Sequence, residues 1–189
     1  MNKAVLFDRD GTLIEDVPYI HQPEKVVLER SVGDTLQRLH QEGYLLIIVT
    51  NQSGIGRGYY SEADFQRVQD RVITLLGDHG APVRASYHCP HHPTEAKGEY
   101  LTRCGCRKPA PGMVEAAIAE HDLDPARSFM VGDTLNDVAA GQAAGMRGVL
   151  VRTGLGTQNE AKIGEVQPDY VAENIDDAVS NFVFVERQS

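Results

Sequence analysis

Ala4-Val5-Leu6-Phe7-Asp8-Arg9-Asp10-Gly11-Thr12 is the stretch from which the fold can be read. Four apolar residues of strand length give way at once to two carboxylates, a glycine and a threonine. Similar apolar runs recur at 45–49, 129–131 and 148–151, with a weaker one at 86–88 and a possible edge strand at 170–171. The run at 45–49 is apolar without alternation, as in a strand covered on both faces. Between the runs lie helical stripes: Val32, Leu36 and Leu39; Phe65, Val68, Val72 and Leu75; Val114, Ala117 and Ile118 after Pro111. An alanine-rich helix starts at Val138 and ends near Gly145, and Ile175, Ala178, Val179 and Phe182 close the chain. Strands alternating with helices imply an α/β fold, a parallel sheet with helices on both faces.

In such sheets ligands bind beyond the carboxyl ends of the strands. The first strand ends in Asp8-Arg9-Asp10, and the fourth runs into Gly132-Asp133, with Asp137 a helical turn later. Carboxylates brought to one edge repel each other unless a cation lies among them, and hard oxygen ligands suit Mg²⁺. The second strand ends in Thr50-Asn51-Gln52-Ser53-Gly54, neutral donors fit to hold phosphoryl oxygens. Lys108 supplies the positive charge that a phosphoryl group in transfer needs. A lone Asp-x-Asp would be read as loop and helix-cap chemistry. Four such pieces in order, each at a strand or loop end, point to a site.

All three cysteines fall in one polar, irregular segment around residues 90–111. Cys89 and His91 are separated by one residue, as are Cys104 and Cys106, so in extended backbone each pair points one way. Two such arms facing each other form a Cys₃His set suited to tetrahedral, structural Zn²⁺. His88 and His92 are alternatives to His91.

These motifs together resemble the signature of the haloacid dehalogenase superfamily of phosphatases, from Lys3 to about Gly154. The resemblance implies a Rossmann-like sheet without a large cap domain, since no long insertion follows Thr12 or Thr50. It also implies that Asp8 is the nucleophile and forms an aspartyl-phosphate. Asp10 would protonate the leaving oxygen and then activate water. Asp8, Asp133 and the backbone carbonyl of Asp10 would ligate Mg²⁺, Thr50 and Lys108 would hold the phosphoryl group, and Asp137 would stand behind them, orienting Lys108 or a metal-bound water.

Cys89-Pro90-His91-His92-Pro93, Cys104-x-Cys106-Arg107-Lys108-Pro109 and the run from Thr50 through Gly58 are similar to the D-glycero-D-manno-heptose 1,7-bisphosphate phosphatase group. Its sister group, the histidinol-phosphate phosphatases, typically has Asp at the position of Ser53. The resemblance implies removal of the C7 phosphate in nucleotide-activated heptose synthesis for lipopolysaccharide and other surface polysaccharide. Substrate-binding candidates are Asp16, Tyr19, Asn51, Gln52, Ser53, Arg107 and Thr134. Arg107 would take the second phosphate or sugar hydroxyls. Some members carry Lys where this chain has Thr134, which bears on anomer preference. The alternatives are a histidinol-phosphate or broader small-molecule phosphomonoesterase and, from another class, a catalytically silent binding protein on the same fold.

The 189 residues are read as one phosphatase domain, 1–189, with the zinc loop at about 88–108 inserted before Lys108. A net charge of −9 with no basic run speaks against nucleic acid. The first residues read as strand and loop rather than a secretion leader, and no apolar run is long enough to span a bilayer. A monomeric cytoplasmic enzyme acting on a small sugar bisphosphate is expected. Asp8→Asn keeps the shape of the side chain and removes the attacking anion. Turnover of the folded variant should fall by several orders of magnitude, and substantial residual phosphatase activity would strip Asp8 of its role.

Overall fold

The computed structural model describes residues 1–186. Six parallel strands form one sheet in the order β3-β2-β1-β4-β5-β6. They are β1 (Ala4–Phe7), β2 (Leu45–Asn51), β3 (Val83–Cys89), β4 (Phe129–Gly132), β5 (Arg147–Val151) and β6 (Tyr170–Ala172). β1 is central, pairing Phe7 with Ile48 of β2 on one side and with Val131 of β4 on the other.

The pleat of β1 feeds two cores. Val5 and Phe7 face one layer, where they meet α1 (Val32–Gln41), α3 (Glu62–Asp78) and α7 (Ile175–Ala178). Ala4 and Leu6 face the other, against α4 (Gly112–His121) and α5 (Leu135–Ala143). All four β1 residues are fully buried, which explains a strand with no polar position.

Several elements exceed their sequence reading. β3 spans seven residues instead of the weak core at 86–88, because it is an edge strand whose pattern mixes polar and apolar residues. In α3 the fully buried leucine is Leu76, with Leu75 packed at the margin of the core. At the C-terminus a π turn over Val179–Val183 follows α7, and Val183 is fully buried while Phe182 stays partly exposed. The extra residue in the turn moves the apolar stripe along by one.

Two short helices were not anticipated, α2 (Ser53–Arg57) and α6 (Gly156–Glu160). α2 backs the irregular segment at 90–111. Gly56 accepts a hydrogen bond at its carbonyl from the Lys97 amide, 2.8 Å, and Arg57 pairs with Glu95 at 2.5 Å. A Cβ at Gly56 would lie 2.4 Å from the Pro90 carbonyl oxygen, so glycine permits the close approach. The loop carrying the cysteines is therefore seated on the helix that follows β2. Strand order reverses between β1 and β4, and the crevice at their carboxyl ends holds Asp8 and Asp133.

Candidate active site

Lys108 is the hub of this crevice. Its ammonium donates to Asp8 Oδ1 at 2.7 Å and to the Val49 carbonyl at 2.6 Å, and pairs with Asp137 Oδ1 at 2.5 Å. The residue is 2 % exposed. Its backbone is clamped to the end of β2. The Lys108 amide donates to Asn51 Oδ1 and the Asn51 amide donates back to the Lys108 carbonyl, both at 3.1 Å. Asn51, read from sequence as a substrate contact, thus has both amide atoms engaged in holding Lys108.

Asp137 uses its second oxygen to cap α5, accepting from the Thr134 amide at 3.0 Å and its hydroxyl at 2.6 Å. Asp133 is 3 % exposed and accepts from the Leu155 amide at 2.8 Å. Gly11 and Gly154 press against it at positive φ. A Cβ on either would fall 2.4 Å from Asp133 Oδ2. The glycine of the first motif is thereby explained by the carboxylate of the fourth.

Ligand oxygens of Asp8, Asp133 and Asp137 all lie within 4.8 Å of one another. Burial pushes the Asp8 carboxyl up to about 7; the Lys108 charge opposes this, and the charges of Asp137 and Asp10 add to it. Burial, then the charges of Asp8 and Asp137, pushes Asp133 up to about 8. Burial would lower Lys108, but Asp137 and Asp8 outweigh it and hold its pKa above the ordinary range. Three carboxylates face one ammonium, and the deficit is the kind that a hard divalent cation fills.

Asp10 sits on the other side of the loop. Arg9, 1 % exposed, donates from Nη2 to both of its oxygens at 3.1 Å, and Gln52 Nε2 donates to Oδ2 at 2.7 Å. Gln52 also donates to Thr50 Oγ1 at 2.9 Å and accepts from the Tyr60 hydroxyl at 2.6 Å. Gln52 therefore organises Thr50 and Asp10, beyond the substrate contact read from the sequence.

Three clefts surround these groups. Asp8, Asp10, Asp16, Lys108, Asp133 and Thr134 border a central one of about 190 Å³. Asp16, Tyr19, Gln52 and Ser53 line a second of about 320 Å³. Burial, with the Asp10 charge, raises the Asp16 carboxyl. Arg107 lies in a third of about 300 Å³, along with Arg103, Asn136 and the edge of Lys108. Arg107 donates to the His91 carbonyl at 3.2 Å, so the cysteine loop aims it.

The Cys₃His set is assembled. Sulfur–sulfur separations among Cys89, Cys104 and Cys106 are 3.0–3.5 Å, and His91 Nδ1 is 3.6 Å from Cys89 and 3.3 Å from Cys106. A tetrahedral ion with bonds of about 2.3 Å would hold its ligands about 3.8 Å apart, a small expansion of this cluster. The alternatives are otherwise engaged. His92 Nδ1 faces the Thr94 and Glu95 amides, and His88 pairs with Glu62 at 3.0 Å.

Sequence reasoning missed Tyr60, Arg103, Asn136 and Leu155, and gave Arg9 no role. Arg9 carried a signal, since a charge between two motif aspartates must be buried with them. The others are placed by tertiary packing alone.

This geometry defines a phosphohydrolase of the aspartate-nucleophile class, and the comparisons with known proteins agree. Residues 105–178 match the HAD-hydrolase-like family model. A D-glycero-beta-D-manno-heptose-1,7-bisphosphate 7-phosphatase from Haemophilus ducreyi is 46% identical over 179 residues, 94% of this chain and 96% of that protein. The alpha-anomer 7-phosphatase of Burkholderia mallei is 43% identical over 77% of each chain. The crystal structure of the D,D-heptose 1,7-bisphosphate phosphatase from B. bronchiseptica with magnesium and phosphate matches with a TM-score of 0.85, 29% identity and 99% coverage of both chains. The chain belongs to the heptose-1,7-bisphosphate 7-phosphatase family within the haloacid dehalogenase-like hydrolases and is a phosphoric monoester hydrolase.

The raised carboxyls fix the sign of a pH effect. Folded Asp8 and Asp133 hold protons that the unfolded chain has released above its ordinary carboxyl value of 3.8. Stability of the metal-free protein should therefore fall as pH rises from about 4 to about 8. Thermal unfolding in chelator across that window checks this, with Mg²⁺ restoring stability most at the alkaline end. A melting temperature that climbs steadily instead would contradict the assignment.

Proposed function

We propose that this chain hydrolyses the C7 phosphate of D-glycero-D-manno-heptose 1,7-bisphosphate, preferring the β anomer, in the cytoplasm and with residues 1–189 acting as one phosphatase domain. The observation that carries the reaction is Lys108 Nζ at 2.7 Å from Asp8, inside a cluster of carboxylates. The substrate rests on the close relatives and on the charge of the clefts. The relatives that span 94% of the chain at 44–46% identity are β-anomer enzymes. The cleft with Arg103 and Arg107 contains no carboxylate, whereas that with Tyr19 contains Asp10 and Asp16. The first suits the second phosphate and the second suits sugar hydroxyls.

In the first half-reaction an Asp8 carboxylate oxygen attacks phosphorus. The bond to the sugar C7 oxygen breaks, and Asp10 gives that oxygen its proton. In the second half Asp10 takes a proton from water, the water oxygen bonds to phosphorus, and the acyl-phosphate P–O bond breaks. Phosphate and free Asp8 result. Lys108 and the Thr50 hydroxyl hold the phosphoryl oxygens, and the fixed donors need no rearrangement as charge shifts. Asp8, Asp133 and the Asp10 carbonyl are the residues to hold Mg²⁺, with Asp137 behind them; when bound it neutralises carboxylate and phosphoryl charge. Cys89, His91, Cys104 and Cys106 are proposed to hold a structural Zn²⁺ that leaves no open position for substrate.

The two metals should separate by experiment. Mild chelation should abolish activity and added Mg²⁺ restore it, while zinc stays with the washed protein. Cys104→Ser should release zinc and lower activity by displacing Arg107 and Lys108, although no cysteine touches the reacting phosphate. Zinc-free, unoxidised protein with full activity would sink the Cys₃His reading.

The substrate reading is tested by comparing both heptose bisphosphate anomers with histidinol phosphate and an aryl phosphate. Arg107→Ala should lower kcat/KM for the bisphosphate about 10- to 100-fold, a charge-assisted contact of roughly 1.5–3 kcal/mol, and leave the aryl phosphate nearly unchanged. Equal losses on both would place Arg107 in the catalytic or structural set.

A further inference from the structure

Asp10 has to meet the leaving oxygen and then a water, so the direction of its carboxyl controls both half-reactions. That direction is set by a relay that starts outside the motifs. Tyr60 is 8 % exposed and packs with Ile55 and Phe65. Its ring occupies the space above Gly54, where a Cβ would lie 2.2 Å from Tyr60 Cε1. The hydroxyl has little freedom in consequence, and it donates to Gln52 Oε1 at 2.6 Å.

That bond fixes which end of the Gln52 amide faces the reaction. With Oε1 occupied by Tyr60, the amide nitrogen points at Asp10 Oδ2, 2.7 Å away, and at Thr50 Oγ1. A flipped amide would set oxygen against the Asp10 carboxylate and lose both donations. On the far side Arg9 closes the grip. Its guanidinium spans both Asp10 oxygens, is backed by Gln69 Oε1 at 3.4 Å and lies 5.3 Å from the Phe65 ring. Phe65 packs with Tyr60 as well, so both arms of the grip rest on one apolar cluster.

We propose that Tyr60 is a positioning residue for Asp10, acting through the Gln52 amide against the fixed anchor of Arg9. It also lines the cleft assigned to the sugar hydroxyls, but its hydroxyl is taken up by Gln52 and its part is to aim Asp10 rather than to meet the reacting atoms. The inference rests on the reading of Asp10 as the proton-transfer group, and its test must tell the two apart.

The discriminating quantity is the dependence of kcat/KM on the leaving group, because that ratio reports the step in which the ester bond breaks. An alkyl oxygen needs the Asp10 proton, whereas a dinitrophenolate leaves without it. Wild type, Tyr60→Phe, Gln52→Leu, the double variant and Asp10→Asn are compared on the sugar bisphosphate, on glycerol phosphate and on 2,4-dinitrophenyl phosphate. Melting temperatures serve as a fold control. Tyr60→Phe should lose roughly tenfold in kcat/KM on the alkyl esters, a part of the roughly 10²–10⁴ that positioned proton transfer contributes, and little on the aryl ester. The double variant should match Gln52→Leu alone, since Tyr60 acts through that amide. Equal losses on alkyl and aryl esters, no loss at all, or additive losses would overturn the relay while a selective loss in Asp10→Asn left the role of Asp10 standing. Should Asp10→Asn itself prove unselective, the role of Asp10 falls and the relay with it.

Discussion

The ammonium of Lys108, buried among Asp8, Asp137 and the Val49 carbonyl, is the constraint on which the rest of the structure depends. A charge removed from water is tolerated only where every one of its hydrogens has an acceptor. The acceptors come from two strands and a helix. Asp8 directly follows β1, Val49 is in β2, and Asp137 is on α5, placed by the turn from β4. Lys108 itself arrives from the far end of the cysteine loop and is pinned to β2 by Asn51. Misplacing any of these segments would leave a buried charge unpaired. The folding requirement and the catalytic geometry are therefore one requirement.

That same cluster is incomplete as a protein-only assembly. One ammonium cannot neutralise three carboxylates, and the site stores the imbalance as raised carboxyl affinities for protons at Asp8 and Asp133. Burial makes Asp8 a poor anion without a counter-ion, and a cation beside it would restore the charge. Gly11 and Gly154 approach Asp133 so closely that a Cβ on either would collide with its carboxylate. Glycines at these two strand ends are what permit that approach.

The site was more legible in the sequence than the elements between its parts. Acids after apolar runs can be read because a fully buried strand cannot carry charge until it stops. Asp8, Asp133 and Asp137 came together as that logic implies. The edge strand β3 was less visible, since one unpaired side lets polar residues such as Arg84 enter the pattern. Asn51 and Gln52 show a different gap. Their type marks them as hydrogen-bonding residues, but sequence does not say that the partners are Lys108, Thr50, Asp10 and Tyr60 rather than a ligand. Tyr60 and Asn136 carried no signal because packing alone brings them to the site.

An active site without a large cap has to obtain rigidity and specificity from what surrounds it. Here the segments that carry Thr50 and Lys108 are braced against each other through the cysteine loop. The loop leans on α2 through Lys97 and Gly56, and α2 begins directly after Thr50-Asn51-Gln52. The other end of the loop delivers Arg107 and Lys108, with Arg107 bonded back to the His91 carbonyl. A metal at Cys89, His91, Cys104 and Cys106 would close this circuit where its two arms meet. Without that staple, residues 90–111 would rely on one short 3₁₀ turn, the bridge between His92 and Leu101, and the contacts to α2 and Asn51. The Cys₃His cluster thus joins the two arms of the loop directly before Arg107 and Lys108.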